Sequence, residues 1–263
     1  MPGIMKMSTA NLRFKGIVLA AGRGNRLGSL SQDMPKPLLH IKGEKSILEY
    51  TLLSMSKAGL FEKVIVVTGY MHSAIRSMIS GLSTKVSFEI QDVVNPQYAS
   101  RNVLYSVEAG LRAAGEGDIL LMNGDTVFSV AVFDELKQAL LMKDMPKVAV
   151  IGSVKSVFDG DDIRVQLDSS GRIVHVGKNL ERAGAVSCGI ILISSSMRTR
   201  YDDKISELKD MDKVIHHDII EALCREGAPI AFVPVPICNW LEIDAIDDLH
   251  KARESFGCDI AGG

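Results

Sequence analysis

A doubly wound α/β fold on a mostly parallel mixed sheet is what this sequence predicts, and three observations carry the prediction. Continuous apolar runs rich in Val, Ile and Leu alternate with segments of helical period through the first half. These runs lack polar alternation, as strands covered on both faces do. The first of them, Ile17-Val-Leu-Ala20, leads straight into a glycine-rich turn, the arrangement that puts a ligand at the carboxyl end of a strand.

The strands of the first half fall at 16–20, 63–68, 86–90, 119–123 and 147–152. Between them, Ser46-Ile-Leu-Glu49 forms a capping-box pattern that opens a helix running to about residue 58. Helical spacing recurs at 73–80, 102–114 and 132–142. The second half is less regular. Residues 163–167, a turn at Asp168-Ser-Ser-Gly171 and residues 172–176 predict a small β-hairpin insertion. A strand at 186–193, a helix at 218–225, strands at 230–233 and 240–243 and a helix at 246–255 complete the chain. There is no internal repeat, heptad or low-complexity tract. One domain over 15–256 is expected, flanked by a flexible N-terminal extension at 1–14 and a flexible tail at 257–263. Met5 and Met7 are alternative starts.

Composition sets the outer bounds. The 263 residues, 46% hydrophobic and 24% charged, suffice for a substantial core. A net charge of -2 argues against nucleic acid or an anionic membrane as the main partner, because those contacts need concentrated basic surface. Cys188, Cys224, Cys238 and Cys258 are scattered without C-x-x-C spacing, so neither zinc nor a disulfide framework is signalled, and a cytoplasmic home is expected. No apolar run reaches membrane-spanning length, and the first 15 residues lack the apolar stretch of a signal peptide. Oligomeric state is left open, a homodimer included.

The chemistry begins at Ala21-Gly-Arg-Gly-Asn-Arg26. Gly22 and Gly24 let backbone N–H groups approach phosphate oxygens and permit positive φ at little steric cost. Arg23 and Arg26 add charge. Lys36 sits between Pro35 and Pro37, whose fixed φ values and effect on the preceding residue predict a stiff, extended mount for one ammonium. Two phosphate motifs fit poorly. A dinucleotide fingerprint needs its third glycine one residue earlier than Gly28, and the Gly-Lys-Ser/Thr of a P-loop is absent. A ligand-free strand-to-helix turn would explain the glycines but not the two arginines and the lysine.

Carboxylates come from two places. Asp125 follows the run 119–123 and Gly124, so it projects at the carboxyl end of a central strand, where a turn or helix-cap aspartate is the plain alternative. In Trp240-Leu-Glu-Ile-Asp244, period-two alternation puts Glu242 and Asp244 on one face. The alternative there is a solvated edge beside a capped helix. A triphosphate normally arrives with Mg²⁺, and hard cations take carboxylate oxygens. Lys178, after the hairpin, is by default a solvent-facing charge. His216 and His217 precede a helix at Asp218 without H-x-x-x-H spacing and read as ordinary surface or capping residues.

Leu19-Ala-Ala-Gly-Arg-Gly-Asn-Arg26 and Pro35-Lys-Pro37 resemble the signature of the nucleotidyltransferase (nucleoside-diphosphate-sugar pyrophosphorylase) superfamily, with Asn25 where Ser or Thr is commoner. The resemblance implies a Rossmann-like nucleotidyltransferase fold whose small hairpin insertion serves acceptor binding. It implies a nucleotide site formed by Leu19, Ala20, Ala21, Gly22, Arg23, Gly24, Arg26, Lys36, Gly124 and Asp125. Arg23 and Lys36 would act on the α-phosphate and the leaving pyrophosphate. Asp125, Glu242 and Asp244 would be the Mg²⁺ ligands, and Lys178 the second catalytic lysine, with Arg164 a weaker companion. Asn95-Pro-Gln-Tyr98, Asn102, Leu104-Tyr-Ser106 and Glu242-Ile-Asp244 look like the cytidylyltransferases acting on phosphocholine or phosphonates. That branch implies CTP as donor and a small phosphonate or phosphoester acceptor held by Asn102, Ser106 and Lys178. A choline head would favour an aromatic box, for which Tyr98, Tyr105, Tyr201 and Trp240 are the candidates. The alternatives are a sugar-1-phosphate nucleotidylyltransferase using UTP, GTP or dTTP, and a silent nucleotide-binding regulatory subunit.

Overall fold

The computed structural model describes residues 12–24, 26–28, 32–43, 45–142 and 146–256. Asn25, Cys258, residues 1–11 of the expected extension and the expected tail at 257–263 lie outside the described residues. In chain order the first half holds β1 (Phe14–Ala20), β2 (His40–Lys42), β3 (Lys45–Ser46), α1 (Ile47–Ala58), β4 (Phe61–Thr68), α2 (His72–Leu82) and β5 (Glu89–Val94). It continues with α3 (Leu104–Ala114), β6 (Ile119–Asn123), β7 (Thr126–Phe128), α4 (Val130–Met142) and β8 (Val148–Val154). The second half holds β9 (Arg164–Leu167), β10 (Ile173–Gly177), β11 (Ala185–Ile193), α5 (Arg198–Leu208), α6 (His216–Arg225), β12 (Ala231–Pro234), β13 (Trp240–Glu242) and α7 (Ile246–Ser255).

The main sheet is mixed and mostly covered on both faces. β6, β1, β4 and β5 run parallel side by side. β11 then joins β6 antiparallel, β8 joins β11 antiparallel, and β12 lies parallel to β8. Alternate residues of β1 enter opposite layers. Val18 packs in the layer with Leu48 of α1, Ile75 of α2 and Leu136 of α4, and Ile17 in the layer with Leu111 of α3, Ile205 of α5 and Ile219 of α6. Each such side chain, fully buried, contributes roughly 1.5–3 kcal/mol. A third cluster, with Leu27, Leu39, Tyr50, Val127, Ile243 and Phe256, ties the glycine-rich loop and the Pro35–Pro37 segment to β7, β13 and α7. The loops that meet at the site thus have an apolar anchor of their own.

β11 is shared lengthwise. Ala185 and Val186 pair with β9, whereas Ile190–Ile193 pair with β6. The register breaks between Ser187 and Ile190, where Gly189 takes φ 84°. A Cβ on Gly189 would stand 2.7 Å from the Asn123 amide nitrogen, so glycine is needed at this fork. The β9–β10 hairpin hangs from the fork, beside the carboxyl end of β6.

Several expectations are met closely. β6 and the closing helix α7 have the expected limits, and Ser46 caps α1 by accepting the Glu49 N–H at 3.2 Å. Other details differ. The run at 86–90 enters the sheet only from Glu89, and β5 is a partly exposed edge strand, not one covered on both faces. Leu12 and Phe14, assigned to the extension, are buried in the core. α5 was not expected because its sequence is mostly charged; it buries Tyr201 and Ile205 alone. β7 is only three residues long, and its pairing with β13 is nonlocal.

Candidate active site

The glycine-rich loop leaves β1 at Ala20 and passes over the carboxyl ends of β1 and β6. Gly124, just after β6, donates its N–H to the Leu19 carbonyl at 3.0 Å, and a Cβ there would meet that oxygen at 2.4 Å. This contact brings Asp125 under the loop. Gly24 takes φ 73°, and a Cβ on it would fall 2.8 Å from the Lys36 Cβ. The loop and the lysine segment therefore touch at a point where only glycine fits. Lys36 is not extended, as its flanking prolines suggested, but opens a 3-10 turn over Lys36–Leu38. Pro37 is tolerated there because the first N–H groups of a helical turn have no intrahelical partner. The mount is nonetheless stiff, since Lys36 is only 6% exposed.

Leu19, Ala20, Gly22, Gly24, Arg26 and Lys36 line one cleft of about 310 Å³, closed from the other side by Gly124, Asp125 and Asp244. Ala21 and Arg23, named with them from the sequence, do not line it. Ala21 is buried and accepts the Tyr70 N–H at 3.0 Å, and Arg23 lies exposed with its guanidinium 5.3 Å from the centroid of the Tyr70 ring.

Asp125, Glu242 and Asp244, brought together by β6, β13 and the residues after them, each offer one oxygen, and these atoms lie within 4.8 Å of one another. Asp125 does lie in the turn between β6 and β7, as its plain alternative has it, but neither it nor Asp244 is a helix cap. Asp125 turns its carboxylate onto Lys36, and the N-cap of α7 is Ala245, whose N–H is taken by Asp248. Lys36 Nζ lies 2.9 Å from Asp125 Oδ2 and 2.9 Å from Asp244 Oδ1. Burial lowers the lysine's pKa, but the two carboxylates outweigh it and hold the ammonium above its ordinary value. Burial, then the charges of Asp125 and Asp244, push Glu242 up to about 8, against the pull of Lys36 and Arg26. Three crowded carboxyl oxygens form an oxygen-only donor set, which fits a hard divalent cation whose charge would relieve their mutual repulsion.

Beside this cluster a chain of charges joins the loop to the hairpin side. Arg26 reaches Asp244 at 2.7 Å and Asp161 at 2.6 Å, and Asp161 in turn holds Lys178 at 3.1 Å. Lys178 first and Arg26 second pull the Asp161 carboxyl below its usual range. One carboxylate thus lies between two cations. Arg164 is committed elsewhere, donating to the Leu180 carbonyl at 3.2 Å with its guanidinium over the Phe158 ring.

The acceptor residues named from the sequence fare unevenly. Lys178 borders a second cavity of about 200 Å³ on the far side of Glu242 and Asp244. Asn102 and Ser106 do not. The Asn102 amide donates to the Lys209 and Met211 carbonyls and accepts the Leu104 N–H, and Ser106 accepts from the buried Asn95 amide. Both are spent holding α3. The cavity is lined instead by His216 and His217, the first residues of α6, and by Ser187. These histidines are 6% and 2% exposed, which corrects their assignment as surface or capping residues. Burial pulls His216 down to about 4, with Asp125 opposing, and His217 falls well below its ordinary value. The available signal was Ile215 followed by Ile219 and Ile220, a spacing that turns both histidines toward the core side of α6.

Known proteins resemble this chain in sequence and in fold. A CMP-5'-(3-aminopropyl)phosphonate synthase from Streptomyces rubellomurinus is 31% identical over 92% of the chain, which spans 38% of that protein's length. A 2-aminoethylphosphonate cytidylyltransferase from Lancefieldella rimae is 27% identical, with 89% of each chain covered. The inositol-1-phosphate CTP transferase from T. maritima superposes with a TM-score of 0.73 at 19% identity, over 95% of this chain and 99% of the other, and so shares the fold. Residues 16–159 match the family described as the MobA-like NTP transferase domain, and the chain belongs to that family.

Proposed function

We propose that the protein is a Mg²⁺-dependent cytidylyltransferase that moves CMP from CTP to a small phosphonate or phosphoester acceptor and releases pyrophosphate. The observation that carries this reading is the buried Lys36 ammonium, clasped by Asp125 and Asp244 beneath a glycine-rich loop at the carboxyl ends of β1 and β6. The names of the two sequence relatives support CTP as donor and a phosphonate as acceptor.

In this reading the loop amides around Gly22 and Gly24 receive the triphosphate, with Arg23 at the rim for its outer phosphates. An acceptor oxygen attacks the α-phosphorus in line. The bond to the bridging oxygen breaks, and pyrophosphate leaves with the electron pair. Lys36 Nζ stabilises the charge that builds on the α-phosphate and the leaving group. Arg26 and Lys178 take the acceptor's anionic oxygens, exchanging Asp161 for them. No general base is needed, because phosphonates and phosphate esters are already ionised near neutral pH. Asp125, Glu242 and Asp244 would hold Mg²⁺, which supplies charge neutralisation between two polyanions when bound.

The test is pyrophosphate release with CTP, UTP, GTP, ATP and dTTP against phosphonates, phosphocholine, inositol phosphate and sugar 1-phosphates, with and without Mg²⁺. CTP with a small phosphonate or phosphoester is the expected pair. UTP, GTP or dTTP with a sugar phosphate would replace this reading by the sugar-nucleotide one. No release above an Asp125→Ala control with any pair would leave a silent nucleotide-binding subunit.

A further inference from the structure

His216 presents two ring nitrogens and His217 its Nδ1 with no hydrogen-bond partner among the described residues, although both rings are almost wholly buried. The rings lie against each other, centroids 4.3 Å apart. The Nε2 of His217 lies 2.8 Å from Ser187 Oγ, which accepts the Gly189 N–H at 3.1 Å. Buried polar groups without partners destabilise a fold, so three in one place point to something that binds there. All three residues border the cavity of about 200 Å³, which Lys178, Arg26 and Asp161 also line.

We infer that His216, His217 and Ser187 form the seat for the far end of the acceptor, and that this end carries a hydroxyl or a primary amine. The inference rests on the cytidylyltransferase reading, since it assumes that the acceptor's anionic end replaces Asp161 between Arg26 and Lys178. The neutral His216 imidazole offers one donor and one acceptor, and His217, its Nε2 engaged with Ser187, offers its Nδ1 as one or the other. A protic head group matches that set.

Two other occupants fit less well. A quaternary ammonium has no N–H to offer and is held by aromatic faces, and among the described residues no Phe, Tyr or Trp borders this cavity. The four rings considered for an aromatic box are engaged elsewhere. Trp240 donates to Ser153, Tyr105 bonds Asp210, Tyr201 is in the core, and Tyr98 packs over Gly69. A second metal ion is disfavoured because, among the described residues, the group able to hold a cation is Asp125, Glu242 and Asp244, without either histidine.

The test compares acceptors of matched length with CTP and Mg²⁺: 2-hydroxyethylphosphonate, 2-aminoethylphosphonate, propylphosphonate and the N,N,N-trimethyl derivative of 2-aminoethylphosphonate. A site built to bond an O–H or N–H rejects the analogue lacking it, so at least one protic acceptor should exceed propylphosphonate about 100-fold or more in kcat/KM. His216→Leu should cut that ratio about tenfold or more through the acceptor's KM, leave the KM for CTP unchanged, and raise Tm by removing the unpartnered ring. His216→Gln, which keeps a donor and an acceptor, should retain most of the ratio. Equal use of propylphosphonate, preference for the trimethyl compound, or an unchanged ratio in His216→Leu would overturn the inference. If His216→Leu does not fold, Ser187→Ala and His216→Gln decide by the same ratio. If wild type transfers CMP to none of these acceptors, the seat is judged separately by ¹⁵N-imidazole NMR, and the functional reading fails only if no other phosphonate or phosphoester accepts CMP from CTP either. A His216 shift with the protic phosphonates but not with propylphosphonate supports it; binding without such a shift refutes it.

Discussion

The ammonium of Lys36 stands 2.9 Å from the carboxylate of Asp244, two groups 208 positions apart in the chain. The pairing closes the site. It ties the segment after the glycine-rich loop to the residue that follows β13, and Asp125 completes the clasp from the end of β6. A cation already held by two carboxylates is preorganised for a charged transition state, because no solvent has to reorganise as pyrophosphate leaves.

Lys36→Met should therefore lower kcat on the order of 100-fold, with a smaller effect on the KM for CTP. Steady-state kinetics separate the two. A rise in KM with kcat preserved would make Lys36 a simple binding residue.

Gly24→Ala should harm the same step indirectly. The added methyl meets the Lys36 Cβ at 2.8 Å, and φ 73° is strained for alanine. The left-handed conformation costs about 1–2 kcal/mol and the overpacking about 1–3 kcal/mol. Thermal melting and kcat should fall together, whereas Gly22→Ala, with no atom of the described residues within 4 Å of the new Cβ, should melt like wild type.

Asp161→Asn should help acceptor binding. Its carboxylate occupies Arg26 and Lys178, yet its side chain is 60% exposed, so little stability is at stake. Exposed pairs are worth at most about 1 kcal/mol, which corresponds to about fivefold. A fall of up to that factor in acceptor KM, read from initial rates at low salt, is the expected outcome; an increase would mean that Asp161 itself contacts the acceptor.

Stability should decline as pH drops below about 6.5, for a stated reason. Burial holds His216 down to about 4 in the folded chain, so between those values the unfolded chain takes up a proton that the folded chain refuses. The contribution is complete above the unfolded pKa and is lost as pH falls toward the folded one. For His216 it amounts to something on the order of 3 kcal/mol. Urea midpoints measured from pH 7 to 4.5 should fall less steeply in His216→Leu than in wild type.

The strands, most helices and the cleft beneath the glycine-rich loop were legible in the sequence because each depends on neighbours in the chain. The apolar run Ile119–Asn123 is a strand wherever it packs, and the Gly22–Gly24 spacing marks a loop whose glycines line the cleft. Asp125, Glu242 and Asp244 could be nominated by strand position and period-two alternation, and they do converge. Arg23 shared the same motif, but the loop turns it outward over Tyr70, a direction that no spacing encodes.

The acceptor side was decided by tertiary structure. Asn102 and Ser106 looked like ligand-binding residues and are spent on backbone and Asn95, because the start of α3 packs against the residues following α5. His216 and His217 looked unremarkable and line the cavity, because α6 packs against β10 of the hairpin and so brings them beside Ser187 and Gly189, where β11 breaks register. Local sequence determined which residues form strands and turns, since those choices rest on backbone conformation and apolar period. Which polar side chains remain without partners was settled only when distant segments came together, since satisfying a hydrogen bond requires both of its partners.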